Sequence, residues 1–328
     1  MSPLPLPPPP PDLTVPEPWC PLPVRLHPAR EETAEWLTDW AYRRNLLHGE
    51  AATRRFTAAR FALFAAYTCS GAEDLRLAAA WTAVNWLIDD ELDGSGTDPA
   101  RFARAALDRL PTGPLFVRPR PASPLLAALD ELWEWTAPHR SASWRERFVA
   151  HYRDWLAHSV LQRDLRHLAH LDEPATYTRR RRMHSGVEMS LDLTEAAADH
   201  ELPRVLAHAQ PYLELRRLAN DIISWHNDLY SVADELAVGD HRSLPAVLVG
   251  GGASWQEALD GTARAIAAAT RDFLAACDDL REMAGYYPVT AHEVEYTLDM
   301  LTLWISGSLR WHQVSARYQQ VEPRLRVT

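Results

Sequence analysis

From Glu31 onward the apolar side chains recur at helical spacing, and this constrains the fold more than any other feature of the chain. Trp36, Trp40 and Leu46 open the pattern, followed by Phe56, Phe61, Leu63 and Phe64, then Leu75, Leu77, Trp81 and Val84. Recurrences three and four residues apart, such as Phe61 to Phe64 and Leu77 to Trp81, fall on one helix face, whereas a half-buried strand needs alternation. Pro and Gly cluster at 94–99, 111–124, 202–211, 239–252 and 285–288 and cut the rest into helices. No fixed-period repeat and no composition shift divides them, so residues 29–328 are expected to form one large all-α bundle. With 47% apolar and 24% charged residues there is a core to bury, which excludes a disordered or fibrous chain.

Residues 1–28 read differently. They hold 12 of the 25 prolines, among them the run Pro7 to Pro11, and such a stretch favours solvated polyproline conformations over packing. A disordered tail is expected there, with an SH3-type ligand as the lesser reading.

The formal net charge is −10, from 34 basic and 44 acidic side chains, which argues against nucleic acid or an anionic membrane as the main partner. Every basic residue is arginine, so Schiff-base chemistry and lysine-cradled phosphates are excluded. Cys20, Cys69 and Cys277 are far apart and odd in number, which speaks for idle thiols rather than disulfides or zinc. The sequence has no apolar run of about 18 residues and no signal-peptide start, so a soluble cytoplasmic protein without membrane insertion is expected.

Three places carry chemistry. The first is Trp81 to Gly94, where an apolar helix runs into Asp89, Asp90, Glu91 and Asp93. Asp89 and Asp93 are four residues apart and leave one face about one turn apart. Carboxylates gathered at a helix C-terminus oppose the macrodipole unless a cation is present. Oxygen donors at the mouth of an apolar helix suit Mg2+, which takes a few carboxylates with water and phosphate oxygens. A solvated acidic helix end is the plainer alternative.

The second place is a doubled Asn-Asp-x-x-Ser, at Asn220 to Ser224 and again at Asn227 to Ser231. Seven residues put the copies on nearly the same face, about 10 Å apart along the axis. The later copy continues to Glu235, giving amide, hydroxyl and carboxylate at i, i+4 and i+8, while the earlier one ends in the shorter Asp228. The later copy also lies nearer the helix end at Gly239-Asp240, and it is taken as the site.

The third is Arg179 to Arg182, four guanidinium groups followed by Met183, His184, Ser185 and Gly186. Consecutive residues of a helix point in different directions, so one or two of the four can face inward. An inward arginine is shaped as a diphosphate clamp.

Together these residues resemble the bacterial class I terpene synthases, and the likeness runs from His27-Pro28 and Trp36 to Arg317-Tyr318. The resemblance implies an all-α bundle with its active site in an apolar cavity between helices. It implies metal ligation by Asp89, Asp90 and Asp93 on one side and by Asn227, Ser231 and Glu235 on the other, with three Mg2+ ions expected. It further implies that Arg182, with Arg181 as the neighbouring register, senses the diphosphate. Ser185 stands in the linker position, where the family carries an acidic residue. Gly186 would be the effector, offering its backbone carbonyl, and Arg317 and Tyr318 would contact diphosphate on closure.

The implied reaction is Mg2+-dependent ionisation and cyclisation of a prenyl diphosphate to a terpene hydrocarbon or alcohol. The C15 farnesyl diphosphate is favoured, with the C20 geranylgeranyl diphosphate next and a C10 substrate third. Trp81, Trp86, Trp304 and Trp311 would offer ring faces to the carbocation. The rivals are a chain-elongating prenyltransferase, for which Asp278-Asp279-Leu280-Arg281-Glu282 is a tempting second acidic motif, and a non-enzymatic scaffold. The expected partner is the prenyl diphosphate alone, with a homodimer left open.

Overall fold

The computed structural model describes residues 6–10, 13–94, 98–113, 120–165, 172–237, 239–286, 290–315 and 326–327. Among them fourteen α-helices follow one another, as the apolar spacing predicts. The first seven are α1 (Arg30–Arg43), α2 (Gly49–Ala59), α3 (Phe61–Thr68), α4 (Leu75–Asp93), α5 (Pro99–Leu107), α6 (Pro124–Thr136) and α7 (Ala142–Leu165). Then come α8 (Pro174–His184), α9 (Val187–Ala197), α10 (Arg204–Ala207), α11 (Gln210–Ala237), α12 (Leu244–Gly250), α13 (Trp255–Met283) and α14 (Ala291–Val314).

Local chemistry fixes several of the helix starts. The Asp74 side chain accepts from Arg76 N at 3.1 Å at the head of α4. Capping boxes open α13, through Ser254 and Glu257, and α14, through Thr290 and Glu293. Each satisfies backbone N–H groups that the first turn leaves unpaired and contributes about 1 kcal/mol.

The helices bury two large apolar cores and a small cluster of Tyr177, Leu244 and Val247. One gathers Trp40, Trp81, Trp133, Trp144 and Phe148 from the first half of the chain. The other gathers Tyr212, Ile222, Phe273, Leu301 and Trp311 from the second. Trp86 of α4 packs against both, stacked on Phe61 and on Trp311 with ring centroids 5.1 Å away in each case. α14 comes so close to α3 that a Cβ on Gly307 would stand 2.6 Å from the carbonyl oxygen of Tyr67.

A buried charge cluster ties α7, α9 and α11 together. Asp192 of α9 is fully buried and accepts from Arg147 Nε (3.0 Å), Arg216 Nη1 (2.9 Å) and His151 Nδ1 (2.6 Å). Burial alone would raise its carboxyl, but Arg216, His151 and Arg147 outweigh burial and hold it well below the usual carboxylate range.

The proline-rich segment corrects the expectation of a disordered tail. Leu13, Val15 and Leu22 are buried in the second core. Trp255 Nε1 donates to Pro7 O at 2.8 Å, Ser306 Oγ to Pro23 O at 2.7 Å, and His27 N to Ala66 O at 2.9 Å. A short strand, β1 (Thr14–Val15), pairs in parallel with β2 (Arg326–Val327). The reason is physical: prolines fix φ in the unfolded chain too, so laying this strap down costs little entropy while three apolar side chains gain burial. Residues 6–10 and 13–28 thus belong to the body of the bundle.

Cys69 and Cys277 are buried free thiols and Cys20 is half-buried and free, as expected. No helix among the described residues is long and apolar enough to cross a membrane.

Candidate active site

α4 carries its carboxylates to the rim of a cavity of about 1460 Å3, lined by Asp89, Asp90 and Asp93. The helix stops as predicted, with Gly94 N donating to Asp90 O at 3.0 Å. Arg242, just ahead of α12, crosses from the other side: its Nη2 donates to Asp93 Oδ2 at 3.2 Å and its Nε to both Asp240 oxygens at 2.8 and 2.7 Å. Sequence reasoning missed Arg242, whose partner in α4 lies 149 residues away.

α11 brings Asn227 and Glu235 to the same cavity, with Ser231 one turn from each. Ser231 Oγ lies 2.7 Å from both Asn227 O and Glu235 Oε1, which aligns the hydroxyl and carboxyl along one face. Glu235 Oε2 is buried without a partner. Burial pushes the Glu235 carboxyl up to about 8, with the charges of Asp228 and Asp240 adding. An orphaned carboxyl oxygen among further carboxylates is a donor that a hard cation can use, and amide, hydroxyl and carboxylate oxygens fit Mg2+. Among the described residues no three His, Cys, Asp or Glu side chains form a metal cage.

The two copies of the motif differ in their hydrogen bonds. Asn220 is fully buried: its Oδ1 meets Ser185 Oγ (2.8 Å) and Ser224 Oγ (3.1 Å), and its Nδ2 donates to Arg182 O (3.2 Å) and Glu188 Oε1 (3.1 Å). An amide has two donors and one acceptor oxygen, and here all are engaged inside the protein. Asn220 of the earlier copy clamps α8 to α11 while Ser224 lines the cavity, and from the later copy Asn227 and Glu235 line it.

The four arginines separate as helix geometry demands. Arg179 donates to Thr176 Oγ1 and Arg180 to Asp172, both on the outer side of α8. Arg181 turns into the cavity, its side chain 11% exposed, with Nε on Asp228 Oδ1 at 2.8 Å and Nη2 on Asn227 Oδ1 at 2.7 Å. Tyr177 completes this cluster, donating to Asp228 Oδ2 at 2.5 Å. Burial works against the charge on Arg181, but Asp228 outweighs it, so the guanidinium stays ionised. Arg182 forks onto Asp221 at 2.5 and 2.8 Å and lines a second, smaller cavity. Of the two registers, Arg181 lines the large cavity and Arg182 the smaller one, about 100° of helix rotation apart.

Gly186 lines the cavity at the break between α8 and α9, with φ +71°, a conformation that favours glycine. Its carbonyl oxygen, expected to be offered to substrate, accepts instead from Ser190 N (3.2 Å) and Ser190 Oγ (2.8 Å) at the start of α9. A Cβ here would meet Met189 Cε at 3.2 Å and the Trp155 ring at 3.6 Å. Ser185 Oγ, on Asn220 Oδ1, ties the break to α11.

Apolar rings make the deep wall. Trp81, Trp86 and Trp304 line it together with Phe61 and Phe64. Trp304 Nε1 donates to Thr194 Oγ1 at 2.6 Å and Trp81 Nε1 to Thr136 Oγ1 at 2.9 Å, which turns their polar edges away. Trp311 packs behind Trp86, outside the lining. Asp278 and Asp279 are exposed on α13, with Asp278 paired to Arg281, so that motif is a solvated face. Arg317 and Tyr318 lie outside the described residues.

Residues 80–272 match the family model described as terpene synthase family 2, C-terminal metal binding. Pristinol synthase of Streptomyces pristinaespiralis is 30% identical over 314 residues, covering 92% of this chain and 84% of that enzyme. The 7-epi-alpha-eudesmol synthase of Streptomyces viridochromogenes, named as cyclising (2E,6E)-farnesyl diphosphate, is 30% identical over 291 residues, or 85% of this chain and 84% of that one. Among solved structures, a-eudesmol synthase has a TM-score of 0.82 at 25% identity, covering 90% of this chain and 98% of its own.

Proposed function

The chain belongs to the bacterial class I terpene synthases, and on that footing we propose that it cyclises farnesyl diphosphate to a C15 hydrocarbon or alcohol, with Mg2+ as cofactor and diphosphate as by-product. One observation carries the reading. Asp89, Asp90 and Asp93 on α4 and Asn227 and Glu235 on α11 line one cavity whose deep wall carries Phe61, Phe64, Trp81, Trp86 and Trp304. A greasy chain with an anionic head needs both ends of such a pocket.

Asp89, Asp90 and Asp93 would hold metal on one side and Asn227, Ser231 and Glu235 on the other. Mg2+, when bound, neutralises the diphosphate and favours its departure. Arg181 gives the diphosphate a guanidinium fixed against Asn227 and Asp228, a donor set in place before charge develops. The substrate's C–O bond breaks with its electron pair on oxygen, and an alkene of the same chain attacks the allylic cation. Trp81, Trp86 and Trp304 keep water from that cation and present π-electron density, each close contact contributing about 2 kcal/mol when desolvated. Proton loss or capture of one water ends the sequence. Arg317 and Tyr318 remain proposed diphosphate contacts, carried by the resemblance alone.

The farnesyl assignment is supported by the relative named for that substrate. Incubation with the C10, C15 and C20 prenyl diphosphates and Mg2+, followed by gas chromatography and mass spectrometry, tests it. A cyclic C15 product with the highest kcat/KM is expected. Preference for geranylgeranyl diphosphate would overturn the assignment, and elongated prenyl diphosphates would overturn the reaction class.

A further inference from the structure

His312 of α14 lines the cavity and is 6% exposed. Its Nδ1 lies 2.7 Å from Ser308 O, one turn back on the same helix. A carbonyl oxygen only accepts, so Nδ1 carries the hydrogen. Nε2 lies 3.2 Å from Asn227 Nδ2, an amide nitrogen that only donates, so Nε2 is the acceptor. His312 is thereby fixed as the neutral tautomer protonated at Nδ1.

The other end of the same amide is fixed independently. Arg181 Nη2 donates to Asn227 Oδ1 at 2.7 Å, and a guanidinium has no acceptor to offer. Turning the Asn227 amide over would set its NH2 against the guanidinium and its oxygen against the His312 lone pair. One orientation satisfies both neighbours. Tyr230 stacks on the His312 ring at 5.9 Å and Trp311 meets it edge-on at 5.1 Å, which holds the imidazole plane.

We infer that His312 is a positioning residue that, by accepting from the Asn227 amide, aims Asn227 Oδ1 at the metal. The inference rests on the proposal that Asn227 ligates Mg2+. A ligand's outer partner fixes its direction and typically changes metal affinity about 10- to 100-fold when lost. Glutamine places an oxygen near the position of Nε2 and so keeps the acceptor, whereas phenylalanine and leucine do not.

The test follows the melting temperature of the full chain as MgCl2 is titrated in the presence of inorganic diphosphate. For His312→Phe, the Mg2+ concentration giving half the stabilisation should rise at least about tenfold, while His312→Gln should stay within about threefold of the parent. His312→Leu serves as a second acceptor-free variant if the phenylalanine chain does not fold. An unchanged midpoint in both acceptor-free variants, or equal shifts for Phe and Gln, would overturn the positioning role while leaving the metal reading intact. No response to Mg2+ in the parent protein would overturn both.

Discussion

Arg181 Nη2 donates to Asn227 Oδ1 at 2.7 Å, so a guanidinium from α8 already rests on the amide oxygen proposed as a metal ligand on α11. The oxygen has two lone pairs and can serve both. Loss of Arg181 should therefore weaken diphosphate capture and leave Asp228 buried without its cation. Arg181→Gln is expected to lower kcat/KM for farnesyl diphosphate by about 100-fold or more, as for loss of a prearranged donor. Arg182→Gln should change it by less than about fivefold and cost about 1–2 kcal/mol of stability through Asp221. Steady-state kinetics with thermal melts on both variants check this, and a larger kinetic loss at Arg182 would restore the original register.

The two Asn-Asp-x-x-Ser copies should fail in different ways. Asn220→Ala leaves Ser185, Glu188 and the Arg182 carbonyl short of a partner, and should cost about 2–3 kcal/mol of stability. The Mg2+ requirement of the folded fraction should not move. Asn227→Ala should keep the melting temperature within a few degrees and lose its response to Mg2+. Denaturation and Mg2+ titration of the pair distinguish clamp from ligand.

α14 meets α3 at Gly307 with no room for a side chain. The obstacle is backbone, the Tyr67 carbonyl at 2.6 Å from a built Cβ, so a rotamer change cannot relieve it. Gly307→Ala should destabilise by about 1–3 kcal/mol, offset only in part by alanine's better helix propensity. Chemical denaturation measures it, and an unchanged midpoint would contradict the close packing.

Asp192 sets a pH dependence. Its folded-state carboxyl lies below the unfolded value of about 3.9, so its stabilisation is fully present above that pH and is lost as pH falls further. Parent stability should drop below about pH 4 as this site protonates. Asp192→Asn removes one of the two carboxylates paired with each arginine, leaving Arg147 on Glu195 and Arg216 on Glu188, and should cost about 1–3 kcal/mol at neutral pH. Its remaining stability should then fall less steeply below pH 4. Denaturant melts from pH 3 to 7 on both proteins test the sign.

Much of this was legible in the sequence because it depends on spacing along one helix. The α4 terminus at Gly94, the carboxylates Asp89 and Asp93, and the set Asn227, Ser231 and Glu235 are all i to i+4 relations. What escaped depends on rotation or on distance. Choosing Arg181 over Arg182 requires knowing how α8 is turned against α11. Arg242 reaches Asp93 across 149 residues and His312 reaches Asn227 across 85, so no local pattern announces either. The strap escapes for a different reason: its proline content points to disorder, while Leu13, Val15 and Leu22 among the prolines carry the signal for packing.

The central claim is that the α4 carboxylates and the Asn227 copy on α11 hold metal over a prenyl diphosphate. Its most direct measurement is inorganic diphosphate released from farnesyl diphosphate as Mg2+ is titrated, in the parent protein and in Asn227→Ala. Release should rise with Mg2+, match terpene product mole for mole, stop on chelation, and be absent in the variant. Release that survives chelation, or that proceeds undiminished in a folded Asn227→Ala protein, would contradict it.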